Sequence, residues 1–213
     1  MSYFSYGGPS QPMDSFVHEI FCVPLFEFSC IVDEQQDIIK ELEKPEYQVS
    51  EDRKDTLHQL PLFQNFSANV VTAVKNVWDK CGYIDIEPYV TAMWGNSIQD
   101  SGLHAHAHSN SFFSGVWYPA NVPVQDDNGG CIKFMDPLAS KYHIMPRLRG
   151  SNKLNSGEIV MRPKKGMMLI FPSWLEHMVI PLTNSDKPRY SVSFNIWMTG
   201  KLGNGPALNR LEF

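Results

Sequence analysis

The sequence has 213 residues, of which 43% are hydrophobic by type and 19% charged, a balance typical of a folded domain and not of a disordered or fibrous chain. Its 18 basic and 23 acidic side chains give a formal net charge of −5, and no basic run could follow a phosphate backbone, so we expect no nucleic-acid partner. No apolar stretch is long enough for a membrane span, and the N-terminus lacks the pattern of a secretory signal. We therefore expect a cytoplasmic protein without a membrane partner.

The chain is predicted to hold one domain over residues 16–200. Residues 1–15 are rich in Gly, Ser, Pro and Tyr and show no hydrophobic period, so we interpret them as a flexible N-terminal tail. Residues 201–213 are interpreted as a C-terminal tail. The apolar segment 20–28 contains Pro24 and predicts an edge strand or an extended opening segment.

Two helices are expected next. Asp33 can cap the first, which ends at Pro45. The second is expected over residues 67–80, where valines recur at helical spacing, and Gly82 is its stop signal.

From residue 87 onward the hydrophobic period changes to two, which is the period of strands. Clusters of Gly, Pro, Asn and Asp separate these segments, and many short strands with regular turns predict a sandwich or a barrel. The candidate strands are residues 88–95, 104–108, 114–118, 131–135, 157–161, 167–171, 177–181 and 189–197.

The segment LHAHAHS holds three histidines at alternate positions. Side chains alternate along a strand, so His104, His106 and His108 would project from one face. Neutral imidazoles are common ligands for iron, copper and zinc, and two of them at this spacing can reach one ion. A solvated ladder of histidines, or a chance cluster on an edge strand, is the alternative, and spacing alone does not decide between them.

Two later segments could complete a site. His177 follows the apolar strand in GMMLIFPSWLEHMVIP, and a single histidine there would ordinarily be a hydrogen-bonded core residue. In RYSVSFNIW one face is apolar and the other carries Arg189, Ser191, Ser193 and Asn195. That polar face is either exposed to solvent or lines an internal pocket. In a pocket, a guanidinium beside a hydroxyl would be suited to binding a carboxylate.

Together these pieces resemble the Fe(II)- and 2-oxoglutarate-dependent oxygenases, in particular a branch of that superfamily found in bacteria and marine phages. The likeness covers most of the chain, and the order and spacing of its motifs carry it. His177 and Arg189 are 12 positions apart, similar to the family's distance between its distal metal histidine and the basic residue that binds the cosubstrate. The motifs are IFCVPLF, MWGN, HAHSNSFFSGVWY, GGCIKFMDP, FPSWLEHMV and RYSVSFN.

The resemblance implies a mainly β protein with a double-stranded β-helix, or jelly roll, supported by N-terminal α-helices. It implies that His106 and His177 bind Fe(II) and that Arg189 and Ser191 hold the far carboxylate of 2-oxoglutarate. The implied reaction couples oxidative decarboxylation of this cosubstrate to hydroxylation of an organic substrate.

The sequence departs from the family pattern at His108, because the superfamily usually carries Asp or Glu there. Three outcomes are open: His108 completes a three-histidine site, a distant carboxylate such as Asp136 supplies the third ligand, or water or an anion fills the position. We expect His108 to be the ligand, since it shares a predicted face with His106. His104 would enter the site if the strand register differed, and is otherwise expected beside the ligands or at the rim of the site.

Two alternatives to this function are a cupin-type three-histidine dioxygenase that needs no 2-oxoglutarate, and a jelly-roll binding module without enzymatic activity. The cupin motif places a glutamate a few residues after its first histidines, and residues 111–115 contain none. The substrate class stays open among a small molecule such as an amino acid, a peptide and a protein side chain, and no oligomeric state is predicted. The basic loop 138–156 is hypothesised to be a lid that recognises an acidic or peptide substrate.

Overall fold

The computed structural model describes residues 22–47, 55–138, 147–203 and 211–213. It contains two α-helices, α1 (Gln35–Leu42) and α2 (Gln64–Cys81), and three short 3₁₀ turns at Pro45–Tyr47, Leu57–Gln59 and Pro61–Phe63. The strands are β1 (Phe26–Ser29), β2 (Ile86–Ile98), β3 (Leu103–His106), β4 (Phe113–Trp117), β5 (Ile132–Met135), β6 (Glu158–Met161), β7 (Met167–Pro172), β8 (His177–Val179), β9 (Arg189–Leu202) and β10 (Leu211–Glu212).

The strands form a major and a minor antiparallel sheet. The major sheet has the order β1-β7-β4-β9, with β2 on the free side of β9 and β10 paired to the end of β9. The minor sheet has the order β3-β8-β5-β6. Pairing between strands distant in sequence, such as β2 with β9, closes the chain into a jelly roll. The predicted fold class, a mainly β double-stranded β-helix with supporting helices, is therefore confirmed.

Helix α2 supports the major sheet from outside the jelly roll. Its buried face carries Phe66, Val70, Val74 and Val77 at helical spacing, and each such apolar side chain contributes about 1.5–3 kcal/mol when buried. Phe66 stacks on Trp117 of β4 with 4.4 Å between ring centroids. The helix ends at Gly82, whose left-handed φ of 75° a residue with a Cβ adopts only at a cost.

Strand β9 shows which face of the major sheet points into the jelly roll. Val192, Phe194 and Ile196 are fully buried in the cluster that contains the helices, so they lie on the outer face. Arg189 and Ser191 lie on the opposite face and are also buried. The polar face of this strand is therefore internal, the second of the two interpretations open from the sequence.

A second core fills the space between the two sheets. Val116 and Tyr118 enter it from the major-sheet side, and Phe134 enters from the minor sheet. Phe134 and Phe171 make an edge-to-face contact with 5.0 Å between centroids. This apolar layer closes one side of the interior next to His177, whose ring lies 4.8 Å from that of Phe171.

The eight strands predicted from residue 87 onward are all present, although β2 and β9 are longer than expected. Helix α2 starts three residues earlier than predicted, directly after the turn at Pro61–Phe63. Of the expected opening segment, only Phe26–Ser29 is a strand, and residues 20 and 21 lie outside the described part of the chain, as does the predicted tail 1–15.

Two further observations concern the ends of the chain and its helices. Part of the predicted C-terminal tail is ordered in a strand, because Leu211 and Glu212 pair with Leu202 and Lys201. The boundaries proposed for the domain stay a prediction. Neither described helix is long and apolar enough to cross a membrane.

Candidate metal centre

Three histidines from two segments, β3 with the loop after it and the start of β8, meet between the sheets. His106 ends β3, His108 follows in the next loop, and His177 begins β8. Each offers one ring nitrogen, and these three atoms all lie within 4.8 Å of one another. The Nε2 atoms of His108 and His177 are 3.4 Å apart. The structure thus brings together all three residues that the sequence singled out as metal ligands.

A β-bulge in β3 sets the direction of His106. Leu103 is paired with Val179 and His106 with His177, so three steps along β3 match two steps along β8. A bulge of this kind turns a side chain away from strict alternation. As a result Leu103 and His106 lie on the same face, whereas the side chain of His104 is exposed.

The expectation that strict alternation along one strand aligns the three histidines is therefore wrong, because a bulge interrupts β3 and the strand ends at His106. His108 lies beyond the end of β3, and its position depends on a hydrogen bond from its backbone N–H to the carbonyl of Ser173, at 2.9 Å. His104 orients the imidazole of His106 through its backbone carbonyl. Its carbonyl oxygen lies 2.7 Å from Nδ1 of His106.

Backbone carbonyls fix the tautomers of two of the imidazoles. Nδ1 of His106 contacts the carbonyl of His104, and Nδ1 of His177 lies 2.9 Å from the carbonyl of Leu175. A carbonyl only accepts, so Nδ1 carries the proton in both neutral rings and Nε2 carries the lone pair. Metal-binding histidines are typically oriented in this way, and the donor set suits a transition-metal ion.

The surroundings of His177 keep its ring uncharged. Burial is the main cause that lowers the pKa of His177 to about 4, and nearby His106 also lowers it, while the hydrogen bond to Leu175 acts in the opposite direction. The imidazole is therefore neutral at physiological pH, the form that binds a metal ion. His106 and His108 are only half-buried, so the cluster is partly open to solvent on their side. Trp94 flanks the ring of His108 at 5.6 Å between centroids.

Asp136, the alternative third ligand, has a different local role. Its Oδ1 accepts a hydrogen bond from the backbone N–H of Leu138 at 2.8 Å. Within the described ranges, the cluster of potential ligand atoms around His106 consists of the three histidines and does not include Asp136. Of the three outcomes left open by the sequence, the geometry favours His108 as the third ligand.

A buried guanidinium lies on the inner face of β9. Arg189 is 1% exposed, and its Nε donates to the carbonyl of Gly130 at 3.0 Å. Its two terminal nitrogens donate to Ser191 Oγ at 3.1 Å and to the Tyr118 hydroxyl at 3.0 Å. All three acceptors are neutral. Among the described residues, no ion pair of Arg189 with a carboxylate is found.

Isolated buried charges are costly, so an unpaired guanidinium in the interior is suited to an anionic ligand. Tyr118 supports it from one side, with its ring centroid 5.0 Å from the guanidinium carbon. Burial raises the pKa of Tyr118, and the charge of Arg189 opposes this rise. The phenol therefore stays protonated near neutral pH.

The sequence did not single out Tyr118, Asn96 or Trp94. Asn96 is 3% exposed and donates from Nδ2 to Ser193 Oγ at 3.3 Å, and it is paired in register with Ser191. Alternation along β2 places Asn96 and Trp94 on the same face as the polar residues of β9, but only once the pairing register is known. Tyr118 gave no signal, since a tyrosine that ends an apolar strand is usually a core residue.

Residues 92–195 match a family model described as "Putative 2OG-Fe(II) oxygenase", a segment that includes the three histidines, Arg189 and Ser191. No curated protein matches the sequence.

Several solved structures share the fold. HygX from Streptomyces hygroscopicus, with nickel and 2-oxoglutarate bound, aligns with a TM-score of 0.57 and 13% identity over 82% of this chain and 81% of that chain. The non-heme alpha ketoglutarate dependent epimerase SnoN from nogalamycin biosynthesis aligns with a TM-score of 0.54 and 12% identity, over 82% of this chain and 78% of that chain. A Pseudomonas putida prolyl-4-hydroxylase aligns with a TM-score of 0.53 and 13% identity, over 81% of this chain and 86% of that chain. At such low identity, these likenesses establish a common fold.

Proposed function

We propose that this protein binds Fe(II) and 2-oxoglutarate and hydroxylates an organic substrate. The match of residues 92–195 to the 2OG-Fe(II) oxygenase family model supports the proposal. One observation carries the proposal: three imidazoles with converging ring nitrogens share the interior of the jelly roll with a buried arginine whose hydrogen-bond acceptors are all neutral. When bound, Fe(II) and 2-oxoglutarate supply the oxidising chemistry with O2, and succinate and CO2 are the by-products.

His106, His108 and His177 would hold the metal ion. Three nitrogen ligands leave positions open for cosubstrate and oxygen, as in other iron oxygenases. The carbonyls of His104 and Leu175 keep two of the rings in the tautomer that presents Nε2. Phe171 packs edge-on against His177 and limits its rotation.

Arg189 and Ser191 would hold the far carboxylate of 2-oxoglutarate. Their side chains are already hydrogen-bonded to each other, and Tyr118 and the Gly130 carbonyl restrict the guanidinium further. Three neutral imidazoles leave the charge of a divalent ion uncompensated by the protein, and Arg189 adds a positive charge. A dianionic cosubstrate compensates most of this total, which favours its binding.

Titration under anaerobic conditions tests the cosubstrate. Fe(II) and 2-oxoglutarate added to the protein should produce a weak visible charge-transfer band, and admission of O2 should release succinate. Arg189→Met should weaken 2-oxoglutarate binding about 10- to 100-fold, because hydrogen bonds from a charged donor contribute about 1.5–3 kcal/mol. Lys133→Met, which removes a charge paired with Glu158, is the control and should bind the cosubstrate like the wild type.

Two results would contradict the proposal. Absence of both the band and succinate from the wild-type protein would favour a cupin-type dioxygenase or a binding module. Unchanged cosubstrate affinity in Arg189→Met would remove that residue from the assignment.

The proposed substrate is a small molecule such as an amino acid, a peptide or a protein side chain. The basic loop 138–156, proposed as a lid, supports this proposal, and in its described part Arg147 and Arg149 are exposed. Lys141 lies outside the described residues. Product analysis by mass spectrometry distinguishes the reaction types: a gain of one oxygen atom indicates hydroxylation, and an unchanged mass with inverted stereochemistry indicates epimerisation.

A further inference from the structure

Ser173 lies where the two segments that carry His108 and His177 meet. It is 1% exposed and precedes His177 by four positions. Its carbonyl accepts the backbone N–H of His108 at 2.9 Å, and its own N–H donates to the carbonyl of Phe112 at 3.2 Å. The backbone of one residue therefore joins the loop after β3 to the turn before β8.

The hydroxyl of Ser173 extends this junction into a buried chain of hydrogen bonds. It donates to Ser111 Oγ at 2.8 Å, and it lies 2.8 Å from Ser114 Oγ. Ser114, 1% exposed, lies in turn 2.8 Å from Asn195 Oδ1, so its one hydroxyl hydrogen is available to either Ser173 or Asn195. At the other end Ser111 donates to the carbonyl of Phe113. We call Asn195, Ser114, Ser173 and Ser111 the serine chain; it runs from β9 through β4 to the turn before β8.

Ser114 and Ser173 are buried and Ser111 and Asn195 half-buried, so the serine chain lies where hydrogen bonds are stronger and an unpaired hydroxyl is costly. Its members are connected in series, so the loss of Ser173 removes one hydrogen-bond partner from Ser111 and one from Ser114. Within the part of the chain that the structure describes, the hydroxyls of the serine chain bond to one another, to Asn195 and to backbone carbonyls, and none bonds to an imidazole nitrogen of the cluster. Any effect on the histidines must therefore pass through the backbone of Ser173.

We propose that Ser173, held by the serine chain, is a positioning residue that sets the separation of the His108 and His177 imidazoles and thereby the affinity of the metal centre. The inference rests on the proposed metal binding. The chain fixes the turn before His177 to the central strands of the major sheet. The same residue fixes His108 through its backbone carbonyl. The 3.4 Å approach of the two Nε2 atoms is the result of both constraints.

A purely structural role predicts something different. A buried hydrogen-bond chain that only stabilised the fold would lower the unfolding temperature when cut, but the folded fraction would still bind metal with the original affinity and spectrum. A positioning role changes the affinity and the coordination geometry of the folded protein. The two roles are separated by measuring metal binding at a temperature well below unfolding.

The experiment uses Co(II) alone, in the full chain without oxygen, with affinity from calorimetry and geometry from the visible ligand-field bands. Ser173→Ala should bind Co(II) about 10- to 100-fold more weakly, the range found when groups that orient metal ligands are removed, and its bands should shift. Asn195→Ala, which cuts the far end of the chain, should weaken binding in the same direction. In the double variant the two losses should combine to less than their product, because both act through one chain.

Ser67→Ala is the matched control. Ser67 lies in α2, on the outer side of the major sheet, and its hydroxyl donates to the carbonyl of Phe63, the residue before the helix. It should change Co(II) affinity less than twofold. If Ser173→Ala does not fold, the Co(II) affinity and the ligand-field bands of Asn195→Ala test the positioning role instead. Unaltered affinity and bands in a folded, destabilised Ser173→Ala or Asn195→Ala would overturn the positioning role. Absence of Co(II) binding by the wild-type protein would instead contradict the metal centre itself.

Discussion

At the scale of single residues, His108 has the most distinctive position, because the resemblance leads one to expect a carboxylate there. If its imidazole is a ligand, His108→Ala should weaken Mn(II) binding at least tenfold, about 1.4 kcal/mol. His108→Asp should recover much of this loss, since a carboxylate oxygen suits Mn(II) and Fe(II). Calorimetric titration measures both. Equal affinity of His108→Ala and wild type would show that another group completes the site.

Tyr118 allows a second test at this scale. Its hydroxyl accepts a hydrogen bond from buried Arg189, so Tyr118→Phe leaves a charged donor without one of its partners. The free energy of unfolding should fall by about 1.5–3 kcal/mol. Tyr89→Phe removes the same atom from a side chain that is 42% exposed and should change stability by less than about 0.5 kcal/mol. Urea unfolding checks the pair, and similar losses would contradict the role given to the Tyr118 hydroxyl.

At the scale of elements, β4 depends on a close approach at Gly115. A Cβ at this position would lie 2.6 Å from the carbonyl oxygen of Leu169 and would also overlap the ring of Phe194. Because the carbonyl belongs to the neighbouring strand, Gly115→Ala requires strand movement and should cost at least the 1–3 kcal/mol typical of overpacking. Thermal unfolding measures the loss. Gly150→Ala is the control, since a Cβ there meets nothing within 4 Å, and equal effects of the two substitutions would contradict this account.

The strands show how far sequence reasoning reaches. Hydrophobic period and turn signals predicted β4 to β9, even though β6 has no buried residue. They also assigned the residues of β9 correctly to an apolar and a polar face. They did not predict the bulge in β3, since the extra residue there is defined by the register against β8, a strand about seventy positions later in the chain. For the same reason they could not place Asn96 opposite Ser191. Register is a property of pairs of strands, and a single segment does not encode it.

The candidate site repeats this lesson. The resemblance to the oxygenase family implied that His106, His177 and Arg189 belong to one site, and the structure brings the histidines into one cluster. The serine chain was missed because serines and asparagines at alternate positions are also typical of a wet strand face. Only the packing of two sheets shows that these hydroxyls are buried and bonded to each other.

At the scale of the whole molecule, the proposed metal joins β3, the loop after it and β8, which lie about seventy positions apart in the chain, and should stabilise the fold. An ion that binds the folded state alone adds about 2.7 kcal/mol at a concentration 100 times its dissociation constant. For a chain of this length the unfolding temperature should therefore rise by about 5–10 °C with Mn(II). Excess EDTA should reverse the rise, and His177→Gln should abolish it. Identical melting curves with and without metal would contradict the centre.

The pairing of β2 with β9 also bears on how the protein is made. Met93 pairs with Phe194, 101 positions later, so on the ribosome β2 emerges well before the strand that will cover it. Until then it is a long apolar ribbon with an open edge, the kind of segment that captures other chains. Nascent chains stalled between the two strands should therefore depend on chaperones, whereas the released protein should not.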